Sequence, residues 1–282
     1  MASSVSITLH WLDRSRAQRI IWLLEELNLQ YRLVTYKRLP DQQAPASLKA
    51  VHPLGKSPVL EIKYPKWNKP LVLAESANII EYVAEHFGRN LIPDRYKDET
   101  KTEDSESGPR EETEEWLKYR YYMNYAEGSL MNLIGTGALK NGELLSTSTQ
   151  YQKVKTGIIA IKNAPVPFFI KPLTGRIAGQ LEKEYLNHNY ESHFSFLESE
   201  LASYQPKPPP SEPSPYFFCG LKLSAADFMM AFPLEAAQQI AGLTKAKYPL
   251  LTDYVRRVQG REAYKRAIER IIKETGSYEA GI

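Results

Sequence analysis

The chain has 282 residues, of which 43% are hydrophobic and 24% charged, proportions typical of a soluble globular protein with one large domain or two smaller ones. Its formal net charge of +3 is too small to indicate a nucleic-acid partner, and no apolar run approaches the roughly 18 residues of a membrane span. The N-terminus lacks the pattern of a secretory signal, the single Cys219 excludes an internal disulfide framework, and the five histidines lack zinc-ligand spacing, so we expect a cytoplasmic protein without a metal site.

Residues 6–33 predict a strand, a helix and a second strand. Ser6–Leu12 alternates apolar and polar side chains, as a half-buried strand does. The apolar residues that follow recur at helical spacing: Ala17, Ile20, Ile21, Leu24 and Leu27. The residues at 29, 31 and 33 are apolar and alternate again, which predicts the second strand.

The polar, proline-containing segment 35–53 predicts a loop with a single helical turn. Ser57–Lys63 and Leu71–Leu73 then predict the third and fourth strands. Residues 75–76 open a helix that carries one apolar face and ends at Gly88. This order corresponds to one βαβ crossover, a hairpin and a closing helix, which together form a small α/β unit.

Pro58 stands at the mouth of the third strand, where it cannot donate a hydrogen bond to the sheet. One interpretation is a strand-edge proline without function. The other is a cis bond between Ser57 and Pro58 that turns the backbone of Ser57 toward a ligand, since a cis bond before proline costs only about 0.5–1 kcal/mol. The proline alone leaves both interpretations open.

Beyond residue 90 the composition changes. Residues 94–115 contain ten acidic and four basic residues, which is typical of a solvated linker or surface insert. From Trp116 onward strand patterns disappear, and helices are predicted over 116–134 and 176–204.

In LSAADF, Ser224 followed by Asp227 resembles the capping box that starts a helix, with Asp in place of the usual Glu or Gln. The fold class is therefore α/β plus all-α. We predict an α/β domain over residues 1–90, an acidic linker or insert over 91–111, and an all-α domain over 112–282.

A βαβ–ββα unit with a cis-proline opening its third strand resembles the thioredoxin fold. Oxidoreductases of that fold place Cys-x-x-Cys where the first strand meets the first helix, because the helix N-terminus lowers the thiol pKa. Here that junction, WLDRSRAQR, has no cysteine but one hydroxyl, Ser15, between Arg14 and Arg16. We therefore expect the thiol to arrive on a ligand, and glutathione is the obvious soluble thiol.

Glutathione carries two carboxylates and one ammonium group at neutral pH. Ser76 and the free N–H groups at its helix start suit the γ-glutamyl carboxylate, and Glu75 suits the ammonium group. Lys56 suits the glycyl carboxylate, and Ser57, held by a cis bond to Pro58, would pair its main chain with the cysteinyl moiety. Each feature alone also fits an ordinary helix cap or a solvated lysine, but their joint occurrence in this order favours a peptide site.

The sequence resembles the cytosolic-type glutathione transferases over nearly its whole length. The matching motifs are SRAQRIIWLLEELNLQY, HPLGKSPVLEI, LAESANIIEYVAEHFG and LSAADF. WLDRSRAQRIIWLLEEL, YYMNYAEGSLM and APVPFFIKP are most similar to the fungal branch that includes a yeast membrane-associated transferase. The resemblance implies a thioredoxin-like domain followed by an all-helical domain, a homodimer, and a pocket for a hydrophobic electrophile or hydroperoxide beside the bound glutathione.

The thiolate-stabilising group aligns less clearly with this family. Its catalytic Tyr, Ser or Cys falls on Arg14 in an ungapped comparison, one residue before Ser15. We predict the Ser15 hydroxyl as the donor, with a helix cap without chemistry as the alternative. Lowering a thiol pKa by about 2 units takes about 2.7 kcal/mol, which one hydrogen bond, a helix N-terminus and nearby arginines can supply.

The first helix of the predicted α-domain supplies the candidates for the second-substrate pocket. They are Tyr122, Tyr125 and Ser129, since the resemblance implies that this helix lines the cleft. The alternative is that its aromatic residues form core and dimer packing. Cys219 follows two phenylalanines and is expected to be a buried packing residue.

Two functions fit these features. The first is conjugation of glutathione to hydrophobic electrophiles, with glutathione-dependent peroxidase activity, in detoxification. The second is a weakly catalytic module that binds glutathione and other ligands or has a regulatory role. The apolar segment 165–172 is too short to span a membrane, so peripheral association with an internal membrane is a further expectation.

Overall fold

The computed structural model describes residues 5–41, 43–97, 110–135, 171–204 and 215–278, without the side chains of 171–179 and 181–183. The strands are β1 (Ser6–Leu12), β2 (Arg32–Tyr36), β3 (Val59–Lys63) and β4 (Leu71–Ala74). The helices are α1 (Ala17–Glu26), α2 (Ala46–Lys49), α3 (Ser76–Phe87), α4 (Glu114–Tyr125), α5 (Lys171–Ser203), α6 (Ala225–Ile240), α7 (Pro249–Gly260) and α8 (Glu262–Thr275). A π-helical turn, Ala126–Met131, continues α4, and a 3₁₀ turn, Arg89–Leu91, follows α3.

The strands form one four-stranded sheet in the order β2–β1–β3–β4. β1 is parallel to β2 and antiparallel to β3, and β3 is antiparallel to β4. The crossover through α1, the hairpin and the closing helix α3 are those predicted from the sequence. The thioredoxin-like architecture followed by helices is thus confirmed.

The predicted start of the second strand was wrong. The alternation predicts a strand from Leu29, but β2 begins at Arg32. The main chain of Leu29 still donates to the Leu24 carbonyl at 3.0 Å, and Asn28 has a φ of 50°, the left-handed backbone that often ends helices. The residues before Arg32 therefore form the turn that terminates α1.

Helices α1 and α3 pack closely on the sheet. The predicted apolar face of α1 is buried from Ala17 to Leu24, whereas Leu27 packs against the edge of the core. Gly88, at the end of α3, meets that edge. A Cβ atom there would lie 2.6 Å from Cδ2 of Leu27, so any larger residue would force the Leu27 side chain to move.

The capping box predicted at the start of α6 is present, and its acid is fully buried. Asp227 accepts hydrogen bonds from the main chain and the hydroxyl of Ser224, at 2.8 and 2.9 Å. It also accepts from the main chain of Phe218 at 3.3 Å and the hydroxyl of Tyr254 at 3.0 Å. One carboxylate therefore joins the start of α6, the preceding loop and α7.

Helix α1 also packs against the α-helical region, through α6 and α8. The rings of Trp22 and Phe228 lie 4.1 Å apart, centroid to centroid, where α1 meets α6. Near the end of α1, the carboxylate of Glu26 accepts hydrogen bonds from Arg261. α1 is therefore a shared wall between the sheet and the helices.

The predicted domain limits of 1–90, 91–111 and 112–282 stay predictions. The middle of the acidic segment, 98–109, and most of the apolar stretch 163–172 lie outside the described residues. Among the helices that the structure describes, none has the length and apolarity needed to cross a membrane.

Removing the buried acid of the capping box should destabilise the fold. We expect Asp227→Ala to lower the free energy of unfolding by about 3 kcal/mol, because two backbone N–H groups and two hydroxyls lose their acceptor. Ser224→Ala, which removes one side chain of the box, should cost about 1 kcal/mol. Urea denaturation measures both, and equal losses would show that Asp227 acts only as a cap.

Candidate active site

The predicted glutathione residues converge at one end of the sheet. In the β3–β4 pairing Val59 lies opposite Ala74, which places the approach to β3 beside the start of α3. The peptide bond from Ser57 to Pro58 is cis, as predicted, and β3 itself begins at Val59 rather than at Ser57. The segments that carry Lys56, Ser57 and Ser76 thus lie side by side.

The hydroxyl of Ser57 ties this segment to β1. It donates to the carbonyl of His10 at 3.1 Å and accepts from the main chain of Leu12 at 3.2 Å. The side chain therefore satisfies two backbone groups of β1, and the position of Ser57 is determined by the sheet rather than by a loop.

Ser15 lies beside Ser57 at the start of α1. Its side-chain oxygen is 3.4 Å from that of Ser57 and accepts the main-chain N–H of Ala17 at 3.2 Å. The residue is only 8% exposed. Because the Ser57 proton is directed to His10, Ser15 is the donor in this pair. The contact is long, so the Ser15 oxygen can cap α1 while its proton is available to a stronger acceptor on a ligand.

The loop between β1 and α1 is fixed by an arginine from beyond β2. Arg38 donates to the carbonyls of Asp13 and Arg14, at 3.0 and 2.9 Å. Arg14 has a φ of 46°, a left-handed backbone that is uncommon for a residue with a side chain. The main chain before Ser15 is therefore held in a sharp turn by a cation.

The start of α3 has features of an anion site. Glu75 has a φ of 68° and an exposed side chain, so its carboxylate faces solvent at the helix N-terminus. Ser76 is only 4% exposed, and its hydroxyl has no hydrogen-bond partner within the described residues. Since buried hydroxyls are normally paired, an unpaired one beside free helix N–H groups suits a ligand carboxylate. The exposed side chain of Lys56 makes no ion pair in the described part of the chain.

The sequence patterns missed an acid that reaches this site from the helical region. Glu127, in the π-helical turn after α4, binds Arg16 and Arg19 of the first turns of α1. Glu127 lies within YYMNYAEGSLM, a motif similar to the fungal branch, but that motif has no pattern that indicates pairing with α1.

The predicted second-substrate residues lie in different environments. Tyr122 is only 1% exposed, and its hydroxyl donates to Glu200 at 3.2 Å, which favours the core-packing interpretation for this residue. Tyr125 is also buried, with its hydroxyl 2.6 Å from Nδ1 of His193. Ser129 is exposed. The pocket roles of Tyr125 and Ser129 stay predictions.

Two further predictions from the sequence concern Cys219 and metal ligands. Cys219 is buried, and burial raises the pKa of its thiol, so it is a packing residue and not a nucleophile. In the described ranges, no three His, Cys, Asp or Glu side chains are grouped as metal ligands.

Comparisons with known proteins point to one family. Residues 14–86 match the family described as glutathione S-transferase, N-terminal domain. Glutathione S-transferase 1 of Saccharomyces cerevisiae is 30% identical over 264 residues, which cover 94% of each chain. This similarity agrees with the resemblance to the fungal branch.

Solved structures lead to the same fold. A glutathione S-transferase from Actinobacillus pleuropneumoniae is 26% identical, with a TM-score of 0.58, over 96% of this chain and 94% of that one. A glutathione transferase homologue from Sulfitobacter, solved with bound glutathione, is 16% identical, with a TM-score of 0.57, over 98% and 99% of the two chains.

Two serines of this site should respond differently to truncation in the ligand-free protein. We expect Ser57→Ala to lower the free energy of unfolding by about 1–2 kcal/mol, because the backbone of β1 loses two partners. Ser76→Ala should leave it unchanged or raise it, since its buried hydroxyl has no partner among the described residues. Urea denaturation without glutathione measures both, and a loss for Ser76→Ala as large as that for Ser57→Ala would contradict its assignment to a ligand.

Proposed function

Because the chain belongs to the glutathione S-transferase family, we propose that it conjugates the thiolate of glutathione to hydrophobic electrophiles. The observation that carries the proposal is the buried hydroxyl of Ser76 at the start of α3, which has no partner in the part of the chain that the structure describes and lies beside the segment that holds Ser57. Glutathione is a co-substrate here, and the expected chemistry needs no metal.

Glutathione would lie along the approach to β3. The γ-glutamyl carboxylate would accept from Ser76 and the N-terminal N–H groups of α3, and Glu75 would pair with the γ-glutamyl ammonium group. Lys56 would pair with the glycyl carboxylate. The main chain of Ser57, next to Pro58, would pair with the cysteinyl moiety as a short strand.

This placement brings the thiol toward Ser15. A hydrogen bond from the Ser15 hydroxyl would stabilise the thiolate, helped by the positive end of α1 and the arginines around it. In the reaction the sulfur forms a bond to the electrophilic carbon, and the leaving group departs with its electron pair. The protein contributes by orienting the two reactants and keeping the sulfur ionised.

Two finer alternatives use the same site. The thiolate also has the chemistry to reduce hydroperoxides, which would add a glutathione-dependent peroxidase activity. The low exposure of Ser15 supports, instead, a weakly catalytic module that binds glutathione and other ligands or has a regulatory role. Conjugation rates with an aryl halide and reduction rates with an organic hydroperoxide distinguish a transferase, a peroxidase and a weakly catalytic module.

We further propose a cytoplasmic homodimer. Its support is an exposed apolar surface on α4 and α5, made of Leu117, Tyr121 and Phe196. Tyr125 at the end of α4 and Ser129 in the π-helical turn that continues it remain the candidates for the electrophile pocket. Peripheral membrane association through 165–172 is proposed from the sequence alone.

Truncating the α3 start should weaken glutathione binding. We expect Glu75→Ala and Ser76→Ala each to cost about 1–3 kcal/mol of binding free energy, because each removes a charge-assisted hydrogen bond. Glu85→Ala, an exposed acid at the other end of α3, is the matched control and should bind normally. Isothermal titration measures the affinities, and unchanged binding by both site variants would place the γ-glutamyl group elsewhere.

The role of Ser15 should appear in the pH dependence of the rate. Ser15→Ala should raise the apparent pKa of bound glutathione and slow turnover near neutral pH, because the thiolate loses a donor. The loss should shrink at high pH, where the thiol ionises unaided.

If Ser15 only caps α1, the variant should instead lose about 1 kcal/mol of stability and keep the pH–rate profile of the parent protein. Comparing the two pH–rate profiles and the two denaturation curves decides between a donor and a cap.

A further inference from the structure

The acid that reaches α1 from the helical region binds two arginines at once. Both carboxylate oxygens of Glu127 accept from Nε of Arg16, at 2.9 and 3.0 Å. The same carboxylate accepts from Nη1 of Arg19. Burial opposes the ionisation of Glu127, but the two guanidinium groups outweigh it and lower the pKa of this carboxyl group. A single negative charge thus holds two cations at the start of α1.

The backbone that carries Glu127 is also unusual. Residues 126–131 form a π-helical turn within an otherwise α-helical segment. Such a turn inserts one extra residue, weakens local hydrogen bonding and changes the direction of the side chains that it carries. Because Glu127 is its second residue, the turn determines which way this carboxylate faces.

The two arginines differ in their exposure and in how they contact Glu127. Arg19 is 1% exposed and lies over the ring of Phe232 at 5.2 Å, so its buried charge requires Glu127 as a counterion. The side chain of Arg16 is 36% exposed and contacts Glu127 only through Nε. Within the described residues, both Nη groups of Arg16 are left without a hydrogen bond, one residue after Ser15.

The charges around this point do not cancel. The cations near the first turn are Arg14, Arg16, Arg19 and Arg38, and the acids are Asp13, Glu127 and Glu235. Burial raises the pKa of Glu235 to about 8, so this acid is mostly neutral at pH 7. The start of α1 therefore carries excess positive charge.

We propose that Glu127 is a positioning residue for the thiolate. It holds the guanidinium group of Arg16 at the start of α1, one residue after Ser15, where the positive charge lowers the pKa of the glutathione thiol. The inference rests on the proposed function, because it needs glutathione bound at this site. It assigns to the helical region a direct influence on chemistry that occurs in the other part of the chain.

The direction in which the thiol pKa shifts when Glu127 loses its charge distinguishes positioning from a direct charge effect. Glu127 is itself negative, so removing its charge without moving Arg16 would stabilise a nearby thiolate and lower the thiol pKa. Releasing Arg16 from its position has the opposite effect and raises the thiol pKa. Positioning and direct repulsion therefore predict shifts in opposite directions.

The experiment measures the pKa of bound glutathione from its ultraviolet thiolate absorbance in the full-length protein. We expect Glu127→Gln and Arg16→Met each to raise that pKa by about 0.5–1 unit. The double variant should raise it no further than Arg16→Met alone, since both changes act through the same guanidinium group. Arg16→Lys, which keeps the charge but not the planar donor, should give a smaller rise.

Glu26→Gln is the matched control. Glu26 forms a similar ion pair with Arg261, at the opposite end of the same helix and across the same interface. This variant should lose stability without shifting the thiol pKa. A shift equal to that of Glu127→Gln would reduce the role of Glu127 to docking of the two regions.

Other outcomes also decide the question. A lowered or unchanged thiol pKa in Glu127→Gln would overturn the inference, and if that variant does not fold, an unchanged pKa in Arg16→Met would do so. If the parent protein binds glutathione without lowering the thiol pKa, the inference is wrong. The proposed binding site would still stand. Failure of the parent protein to bind glutathione would contradict the proposed function itself.

Discussion

The burial of α1 between the sheet and the helical region is the constraint on which the rest of the molecule depends. Residues 17–24 are buried on every side, which a helix tolerates only when it has partners all round. One side of α1 packs on the sheet with α3, and the other packs on α6 and α8. Because the N-terminus of this helix faces the candidate site, the packing that joins the two regions also orients the groups that act on a thiol.

Hydrogen-bond satisfaction separates structural serines from ligand serines at this site. The hydroxyl of Ser57 has two backbone partners on β1, and Ser224 is bonded within its capping box. The hydroxyl of Ser76, which is as buried as Ser224, has none in the described residues. Such an unpaired group costs folding free energy unless a ligand supplies the partner, so its presence is informative about binding.

Two buried acids and one half-buried acid show how the surroundings assign different tasks to the same chemical group. Asp227 is enclosed by four donors and organises a helix start. Glu235 has few partners, and burial raises its pKa, so it is largely uncharged. Glu127 lies between two guanidinium groups and stays ionised. Only the last of these carries a charge that acts on the candidate site.

The sequence by itself determined the features that depend on neighbouring residues. The first strand, the apolar face of α1 and the capping box at Ser224 follow from local patterns, and the structure contains each of them. The tertiary structure alone decided which distant groups meet. Arg16 and Glu127 are 111 residues apart, and the π-helical turn that directs Glu127 has no pattern in the sequence. For Tyr122 the sequence left a pocket role and core packing open, and only the structure shows its burial, because periodicity indicates that a side chain faces a partner but not which surface covers it.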